Sequence, residues 1–310
     1  MISKIDTKVV VAKDLQELLS AKSDMVVVDL LPPDHFSKVH IPNAENACVF
    51  FVSFLEDLAA VVPDKLSPVV VYGSSIRSRD SAIAVEKMAR AGYQNIHYLE
   101  GGLEGWREAG FALDGDAVNL PDDPQTTLSL HDGKYIAQST SSQVEWVGRN
   151  PNSRHMGTVD IAQGVVEIVD GKISGLIEVD MNSIHNTNLE GDELQPVLEA
   201  HLQSDDFFFT QMFPKAIFDF KGAKLNELGG LTAPNFQMKG QLTLRGITAP
   251  LEFNTVVSSI DADSIALEAH FDIDRTCWDI IYGSTRFFEH LGMHKVFDLV
   301  SLQLNIVATR

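Results

Sequence analysis

The feature that most constrains the fold is a strict alternation of apolar and polar residues in the second half of the chain. In residues 236–244, apolar residues occupy the even positions apart from Gly240, and polar residues occupy the odd ones. Because neighbouring side chains of a strand point to opposite faces, this period predicts strands with one buried face. The predicted strands cover residues 144–148, 158–162, 165–169, 172–181, 216–221, 236–244, 250–258, 265–273 and 296–307. These roughly nine strands are enough to close an antiparallel barrel.

Two further features complete this half of the chain. Asp170-Gly171 and Arg245-Gly246 lie between alternating runs and predict hairpin turns. A short helical insertion is predicted over residues 194–209. The second half is therefore expected to be an all-β antiparallel barrel.

The first third has a different pattern, in which short apolar strands alternate with helical stretches. Residues 25–30 and 95–99 are predicted strands, and residues 12–21 form a predicted helix. This order is typical of an α/β domain with a parallel sheet. The polar stretch 114–127 lacks apolar periodicity and predicts a linker. The predicted organisation is a first domain at 1–113, a linker at 114–127 and a second domain at 128–310.

The acidic composition argues against nucleic-acid binding. Residues 1–113 hold 11 Lys and Arg against 15 Asp and Glu, and the remainder holds 13 against 28, so the net charges are −4 and −15. Surfaces this negative repel phosphate backbones.

No apolar run has the length of a transmembrane helix, and the amino terminus lacks the apolar core of a signal peptide. We therefore expect a cytoplasmic protein without a transmembrane segment. Its two cysteines, Cys48 and Cys277, fall one in each predicted domain, so we expect reduced thiols. The apolar surroundings of Cys48 predict a core position.

A strand, a loop and a helix follow one another between Pro68 and Ala91. Val69–Val71 is an apolar β-branched run, and apolar residues recur at helical spacing from Ser78 onward. At the start of such a helix, unpaired N–H groups and the helix dipole favour an anion. The candidate anion-binding residues are Gly73, Ser74, Ser75, Arg77, Ser78 and Arg79. A solvated loop without a ligand is the alternative.

This loop and two other segments resemble the rhodanese family. The others are the strand 26–29 with the stretch 34–44, and the stretch 98–111 that contains Gly101-Gly102 and Trp106. The resemblance covers residues 1–113 and implies a rhodanese-like α/β fold. It also implies sulfur transfer by a low-pKa cysteine directly after Tyr72. Because Gly73 occupies that position, we expect a module without catalytic residues, which serves for interaction or anion sensing.

The second half resembles the YceI-like family of lipocalin-shaped, lipid-binding barrels over residues 134–310. The matching segments lie in order at residues 144–149 with 155–158, 179–184, 201–208, 213–218 and 240–248, followed by the terminal strand. The resemblance implies a lipocalin-like barrel and an apolar or amphiphilic ligand.

Two observations bear on whether the barrel is filled or hollow. Gly175 and Gly240 fall on the inward face, where a missing side chain leaves room; relief of strand bending is the alternative. Twelve of the seventeen Phe residues follow residue 200, which suits walls around an apolar chain, and ordinary core packing is the alternative.

The segment 275–294 interrupts the strand pattern before the last strand, as loops at a barrel mouth do. Candidate ligand-binding residues lie in it and in the first strands: Trp146, Arg149, His155, Trp278, Tyr282, Arg286, Phe287 and His290. Arg149 or Arg286 could pair with a phosphate or carbonyl head group, although each is more often an ordinary surface cation.

His290 and His294 are four residues apart, so a helix would place both imidazoles on one face as a metal pair. We predict no metal site, since Gly292 weakens such a helix and a third ligand is not identified. Cys277 could be a nucleophile, but without an assigned base we expect a buried thiol.

The sequence therefore predicts a binding protein for an isoprenoid-type or other amphiphilic lipid, fused to a catalytically inactive rhodanese-like module. The alternative is a sulfurtransferase or metal-dependent enzyme with a nucleophile not recognised in the sequence. No cofactor is expected to be required, and the bound molecule would be an isoprenoid or fatty-acid-like lipid. The sequence leaves open whether the first domain binds a protein partner and whether the protein forms a homodimer.

Overall fold

The chain divides into two compact units, Met1–Asp122 and Asp123–Arg310. The computed structural model describes residues 7–21, 24–119, 127–225 and 230–310. Residues 120–126 of the predicted linker lie outside the described residues. Before them, the backbones of Asp114 and His40 exchange two hydrogen bonds of 2.9 Å. The start of the predicted linker therefore packs on the first unit.

The first unit is an α/β domain with a parallel five-stranded sheet in the order β1-β5-β4-β2-β3. Its elements are β1 (Lys8–Val10), α1 (Ala12–Ser20), β2 (Val26–Asp29), α2 (Pro33–Lys38), β3 (Glu45–Asn46), α3 (Phe54–Val61), β4 (Val69–Tyr72), α4 (Asp80–Arg90), β5 (Ile96–Leu99) and α5 (Gly102–Glu108). The predicted fold class is confirmed. Helix α4 begins at Asp80, two residues later than predicted.

The position of β4 at the centre of the sheet explains why its sequence is apolar throughout. Val69 and Val71 pack into the core on one face with α3 and α4. Val70 and Tyr72 pack into the core on the other face with α1 and α5. A strand covered on both faces has no solvent side, so it lacks polar alternation.

The second unit is an antiparallel β-barrel with one helix inserted between strands. Its elements are β6 (Gly133–Ala137), β7 (Gln143–Arg149), β8 (Arg154–Val169), β9 (Lys172–Asn186), α6 (Gln195–Gln203), β10 (Lys215–Lys224), β11 (Phe236–Leu244), β12 (Ile247–Ser259), β13 (Ser264–Asp274) and β14 (Leu299–Thr309). Short 3₁₀ turns lie at Ser139–Ser141, Arg275–Trp278 and Gly292–His294.

The nine strands described in this unit occupy eight positions around the barrel. Successive strands from β8 to β14 pair as neighbours, and both β6 and β7 pair with β8 on one side and β14 on the other. The pairing between β13 and β14 runs over eleven residues. The barrel is therefore closed, as the alternation in the sequence predicts.

Several predicted boundaries in this unit are wrong for identifiable reasons. The predicted strands 158–162 and 165–169 are one strand, β8, whose pairing with β9 shifts register twice, between residues 158 and 160 and between residues 161 and 163. Strand β6 is missing from the prediction. Helix α6 ends at Gln203, and turns follow it. The last strand starts at Leu299 rather than at residue 296.

Both predicted hairpin turns are confirmed. Asp170-Gly171 joins β8 to β9, and Arg245-Gly246 joins β11 to β12. All four residues have φ between 50° and 74°. Two successive positive φ values give the turn the twist that antiparallel strands need.

The prediction that Gly175 and Gly240 leave space inside the barrel is wrong. Both glycines pair in register with Phe220 of the strand between them. A Cβ on Gly175 would lie 2.7 Å from the Phe220 ring, and a Cβ on Gly240 would lie 2.8 Å from the Phe218 ring. The glycines therefore make room for phenylalanine side chains of β10.

Among the described residues, no helix combines the length and the apolar character that crossing a membrane requires.

Candidate ligand-binding site

The barrel encloses a cavity of about 400 Å³. Its walls are mainly the inward-facing apolar side chains of the strands, and they include Val144, Val159, Ile177, Val179, Met181, Ala216, Leu242, Leu251, Ile273, Val300, Leu302 and Leu304. On β7, Val144, Trp146 and Gly148 all line the cavity, two residues apart. The alternation that predicts the barrel therefore also supplies an apolar interior.

Aromatic rings form one wall of the cavity. The rings of Phe253 and Phe271 stack with centroids 4.1 Å apart and planes at 7°, and the Phe218 ring lies 5.5 Å from that of Phe253. Six of the twelve Phe residues after residue 200 line the cavity: Phe207, Phe208, Phe218, Phe253, Phe271 and Phe297. The excess of Phe in this half of the chain thus serves both the core and the cavity wall.

Helix α6 covers another part of the cavity through Leu198, His201 and Leu202. The His201 ring lies edge-on to two aromatic rings, 5.0 Å from Phe207 and 4.8 Å from Tyr282. This cluster ties the helix to the segment before β14.

The buried guanidinium of Arg275 fixes the segment that leads into β14. The side chain is 2% exposed, and it donates hydrogen bonds to the carbonyl oxygens of Ile280, Tyr282, Val296 and Phe297. A guanidinium has five N–H donors in a rigid fork, so one side chain can satisfy several carbonyls of an irregular segment. The cavity wall here is held by hydrogen bonds from the Arg275 side chain to backbone carbonyls rather than by backbone pairing between strands.

Polar groups gather where the cavity meets residues 293–297. Arg149, Asn150, His155, His294 and Lys295 all line the cavity there. Arg149 donates from Nη1 to Oγ of Ser301 at 2.8 Å. The cavity is thus apolar along the barrel and polar at this end, which suits an amphiphilic molecule.

The structure brings four of the eight predicted ligand-binding residues to the cavity wall. They are Trp146, Arg149, His155 and Tyr282. Trp146 donates from Nε1 to the carbonyl of Thr158 at 3.3 Å. The ring of Tyr282 packs 5.2 Å from that of Phe207.

The other four predicted residues do not line the cavity. Trp278 is 3% exposed in the barrel core, and its Nε1 donates to the Leu242 carbonyl at 2.8 Å. Arg286 forms ion pairs with Asp274 at 2.7 Å and Asp298 at 3.0 Å. Phe287 and His290 are exposed.

The sequence prediction missed Arg275, His201, Phe207 and Lys295, all of which line the cavity. His201 and Phe207 belong to segments that resemble the YceI-like family, so their positions were visible without a stated role. No pattern in the sequence distinguishes Arg275 or Lys295 from surface cations.

His290 and His294 do not share a helix. His290 has φ of 60°, and His294 lies in a single 3₁₀ turn that begins at Gly292. The helical spacing that suggested a metal pair is therefore absent. Within the described parts of the chain, no group of three or more His, Cys, Asp or Glu residues could hold a metal ion.

The loop that the sequence offers as a candidate anion site already contains a carboxylate, that of Asp80. The Asp80 carboxylate accepts hydrogen bonds from the Ser74 N–H at 3.0 Å and the Ser74 hydroxyl at 3.2 Å through Oδ2, and from the Ser78 hydroxyl at 2.5 Å through Oδ1. The Gly73 N–H donates to Oγ of Ser81 at 3.1 Å. Arg77 extends away and pairs with Glu104 at 2.9 Å.

A second acidic group of this unit, Asp29, lies at the end of β2 and is fully buried. Its Oδ1 accepts from the Leu31 N–H at 2.7 Å, and its Oδ2 has no hydrogen-bond partner among the described residues. Burial raises the pKa of Asp29 to about 6, and the hydroxyl of Tyr72, followed by the N–H of Leu31, offsets only part of that effect.

The two thiols differ from each other in exposure. Cys48 is buried, as its apolar surroundings predict. Cys277 is exposed, so the prediction of a buried thiol there is wrong. It lies in the 3₁₀ turn Arg275–Trp278, where Arg275 and Trp278 point inward and Cys277 lies between them on the solvent side.

Family models match both units of the chain. Residues 11–109 match the rhodanese-like domain, and residues 135–308 match the YceI-like domain. No curated protein matches the chain.

Solved structures with similarity to the chain include examples of both units. Burkholderia cenocepacia BcnA is 18% identical, covers 56% of this chain and 99% of its own, and has a TM-score of 0.43. A polyisoprenoid binding domain from Saccharophagus degradans is 16% identical over 56% of this chain and 97% of its own, with a TM-score of 0.40. The BH2092 protein from Bacillus halodurans is 22% identical over 36% of this chain and 78% of its own, with a TM-score of 0.33. The matched segment 135–308 makes up more than half of the sequence, and the chain therefore belongs to the YceI-like family, with a rhodanese-like domain preceding the barrel.

Proposed function

We propose that the barrel binds an isoprenoid-type or other amphiphilic lipid, one molecule at a time. The observation that supports this most directly is the cavity of about 400 Å³, whose lining is mainly apolar and includes a few polar side chains such as Asn150, His155 and His201. Pockets of about 300–1,000 Å³ hold one small ligand. Transfer of an apolar chain from water into such a lining is favourable by roughly 25 cal/mol per Å² of apolar surface.

We further propose that the rhodanese-like module transfers no sulfur. Sulfur transfer needs a thiolate in the loop, and Gly73 has no side chain to provide one. An anion-sensing role has little support, because Asp80 already accepts from the Ser74 N–H and from two hydroxyls. Interaction with a protein is the role left for this module. Three consecutive exposed apolar residues at 50–52 support that role.

The lipid proposal is tested with the full-length protein by native mass spectrometry and by analysis of an organic extract. We expect one lipid-sized adduct that organic extraction removes. The extracted protein should then bind farnesol, a small isoprenoid, with one-to-one stoichiometry. Absence of any bound lipid, together with no binding of farnesol or other single-chain amphiphiles, would refute the proposal.

A cavity-filling variant makes the test specific. Gly148 lies on the inward face of β7 between cavity-lining residues, and a Cβ added there meets no atom within 4 Å. Gly148→Phe should therefore fold and occupy the cavity, so that farnesol binding is lost. Val147→Phe is the matched control, because it adds the same ring to the same strand on the opposite face. Equal farnesol binding by both variants would show that the ligand lies elsewhere.

The absence of sulfur transfer is tested by thiosulfate-to-cyanide transfer. We expect no turnover above the uncatalysed rate. Turnover that disappears on Cys277→Ser would instead support the alternative of an enzyme that uses the exposed thiol. The cytoplasmic location, the lack of a required cofactor, the protein partner and the homodimer stay predictions from the sequence.

A further inference from the structure

Most of the exposed apolar side chains of the second unit lie at one end of the barrel. Among the described residues of this unit, thirteen large apolar side chains are exposed. Nine of them lie at the end formed by the connections β7–β8, β9–β10, β11–β12 and β13–β14: Leu194, Val197, Met212, Ile247, Phe287, Phe288, Met293, Phe297 and Leu299. The other four lie along the strands or at the opposite end: Ile136, Val169, Leu176 and Ile260. So uneven a distribution marks the first end as an interaction surface, since apolar residues scattered singly are ordinary.

The cavity reaches the surface at the same end. Met293 lines the cavity and is 85% exposed, and Phe297 also both lines the cavity and is exposed. Helix α6, in the β9–β10 connection, lines the cavity through Leu198. None of the described residues in the connections at the opposite end, between β8 and β9, β10 and β11 or β12 and β13, lines it. A ligand therefore enters and leaves beside exposed apolar side chains.

Four of these side chains belong to two stretches that lie side by side before β14. The N–H groups of Phe287 and Phe288 both donate to the carbonyl of Ser284, at 3.2 and 3.1 Å, so the two rings belong to one turn. The Val296 N–H donates to the carbonyl of Gly283 at 2.9 Å, which places the end of the segment beside that turn. The surface formed here, the mouth patch, consists of Phe287, Phe288, Met293 and Phe297.

The segment that carries the mouth patch is electrically neutral in an acidic protein. Residues 283–299 hold two basic side chains, Arg286 and Lys295, and two acidic ones, Glu289 and Asp298. The chain after residue 113 carries a net charge of −15. A neutral apolar surface is complementary to a zwitterionic lipid bilayer, which carries no net charge, whereas anionic lipids would repel the rest of this chain.

We propose that the mouth patch docks on the surface of a lipid bilayer, so that the ligand passes directly between the bilayer and the cavity. This inference rests on the proposed lipid-binding function and adds the partner from which the barrel is loaded. Exposed apolar side chains bind such a surface by entering the boundary between its head groups and acyl chains. Direct passage also keeps the apolar ligand out of water, where its exposed surface is unfavourable.

The first test measures binding of the extracted full-length protein to phosphatidylcholine vesicles by flotation. We expect the wild type to float with the vesicles, and added phosphatidylglycerol, which is anionic, should not strengthen the binding. The double variant Phe287→Ser with Phe288→Ser should bind at least about tenfold more weakly, because it removes two apolar rings from the patch. Val169→Ser with Ile260→Ser is the matched control, because it removes two exposed apolar side chains at the opposite end, and its binding should stay within about twofold of wild type.

The second test measures the rate at which radiolabelled farnesol moves from the loaded protein to the vesicles. Passage at a docked patch gives a rate that rises with vesicle concentration, whereas release through water gives a rate that does not. The patch variant should transfer farnesol at least about tenfold more slowly, and the control should transfer it like the wild type. Both variants should bind farnesol in solution within about twofold of wild type, which also shows that they fold, since none of the four replaced residues lines the cavity.

The outcomes separate this inference from the proposed function. Absence of vesicle binding, or a transfer rate independent of vesicle concentration, would overturn bilayer docking and leave lipid binding intact. Equal vesicle binding by the patch variant and the control would overturn it as well, because the docking surface would then lie elsewhere. A dimer that only the patch variant dissociates, without vesicle binding, would assign the mouth patch to a second copy of the chain instead. Failure of farnesol to bind the wild type would refute lipid binding itself, and the proposed passage with it.

Discussion

The position of the missing cysteine provides the sharpest test of the first unit. An ideal Cβ on Gly73 would lie 2.4 Å from Cβ and 2.5 Å from Oδ2 of Asp80, closer than the 3.0 Å that Cβ atoms keep from other heavy atoms. Gly73 does not have a positive φ, so steric conflict and not backbone strain opposes a side chain here. Gly73→Cys therefore requires Asp80 to move.

The magnitude follows from the contacts that would change. Overpacking of a filled site costs about 1–3 kcal/mol, and a buried N–H such as that of Ser74 costs about 1–3 kcal/mol when it loses its acceptor. We expect Gly73→Cys to destabilise the first unit by about 2–6 kcal/mol. In an Asp80→Gly background, which removes the Cβ as well as the carboxylate of residue 80, the steric conflict is gone, so the same substitution should cost about 1–3 kcal/mol less.

The assay is a double-mutant cycle of Gly73→Cys and Asp80→Gly in the full-length protein. Urea unfolding is followed by pulsed hydrogen exchange in peptides that cover β4, so that the first unit is observed separately. Iodoacetamide at pH 7 measures thiol reactivity. In the double variant, the new thiol lies at the start of the eleven-residue helix α4, where the dipole favours thiolate, so it should react faster than Cys48 or Cys277.

In the single variant the new thiol should react no faster than the native ones. The reasoning would be refuted by a single variant that is as stable as the wild type and has a fast-reacting thiol. Such a result would mean that Asp80 does not occupy the loop. Additive stability changes around the cycle would refute it as well.

Three further predictions concern buried groups. The folded pKa of Asp29 is raised from 3.8 to about 6, so protonated Asp29 stabilises the folded first unit by about 3 kcal/mol below about pH 4, and this stabilisation is lost as the pH rises through 6. The same urea assay should show this loss of stability in the wild type. Asp29→Asn should abolish the loss, and Asp24→Asn, at an exposed position, should retain it. Arg275→Met should leave four carbonyls without their donor and speed hydrogen exchange in residues 280–297 at least tenfold, and unchanged exchange would contradict its role. Gly175→Ala, whose Cβ would lie 2.3 Å from a carbonyl oxygen, should destabilise the barrel by about 1–3 kcal/mol in chemical unfolding, whereas Gly148→Ala should change it by less than about 0.5 kcal/mol.

The architecture could be predicted from the sequence because it depends on local periodicity. The run 236–244 has the bounds of β11 as observed, since its alternation begins and ends with the strand. Part of the inward-facing set of such strands lines the cavity, so the apolar character of the site followed from the same pattern. Boundaries failed where a register shift divides a strand, as in β8, because a bulge leaves no clear mark in the pattern.

The site depended on pairings that periodicity does not specify. The Phe220 ring fills the space beside Gly175 and the Phe218 ring fills the space beside Gly240, because the register of three strands places these residues side by side. The sequence shows each of them on the inward face, but it does not show which residues are neighbours across strands. The predicted space was therefore already occupied, and the cavity lies elsewhere in the barrel.

Charged residues were hardest to assign from sequence. Asp80 lies only seven residues after Gly73, yet its bonds to Ser74 and Ser78 require the loop to fold back on the helix start. Arg275 and Arg286 lie in the same segment. Arg275 is buried and hydrogen-bonded to backbone carbonyls, whereas Arg286 is exposed and forms ion pairs. Their different roles come from the path of an irregular backbone, which no local pattern encodes.

The closure of the barrel by β14 has a consequence for how the protein folds. The strand pairs with β13 next to it in sequence, but also with β7, whose residues precede it by about 150 positions, as in Ser301 with Val147. Contacts of such long range form slowly because the loop that they close must be ordered first. During synthesis, the first unit can complete its own sheet while the edges of β13 and β7 still lack their common partner. The two units should therefore mature at different times, and the barrel edges are the part of the nascent chain that is open to mispairing until β14 is in place.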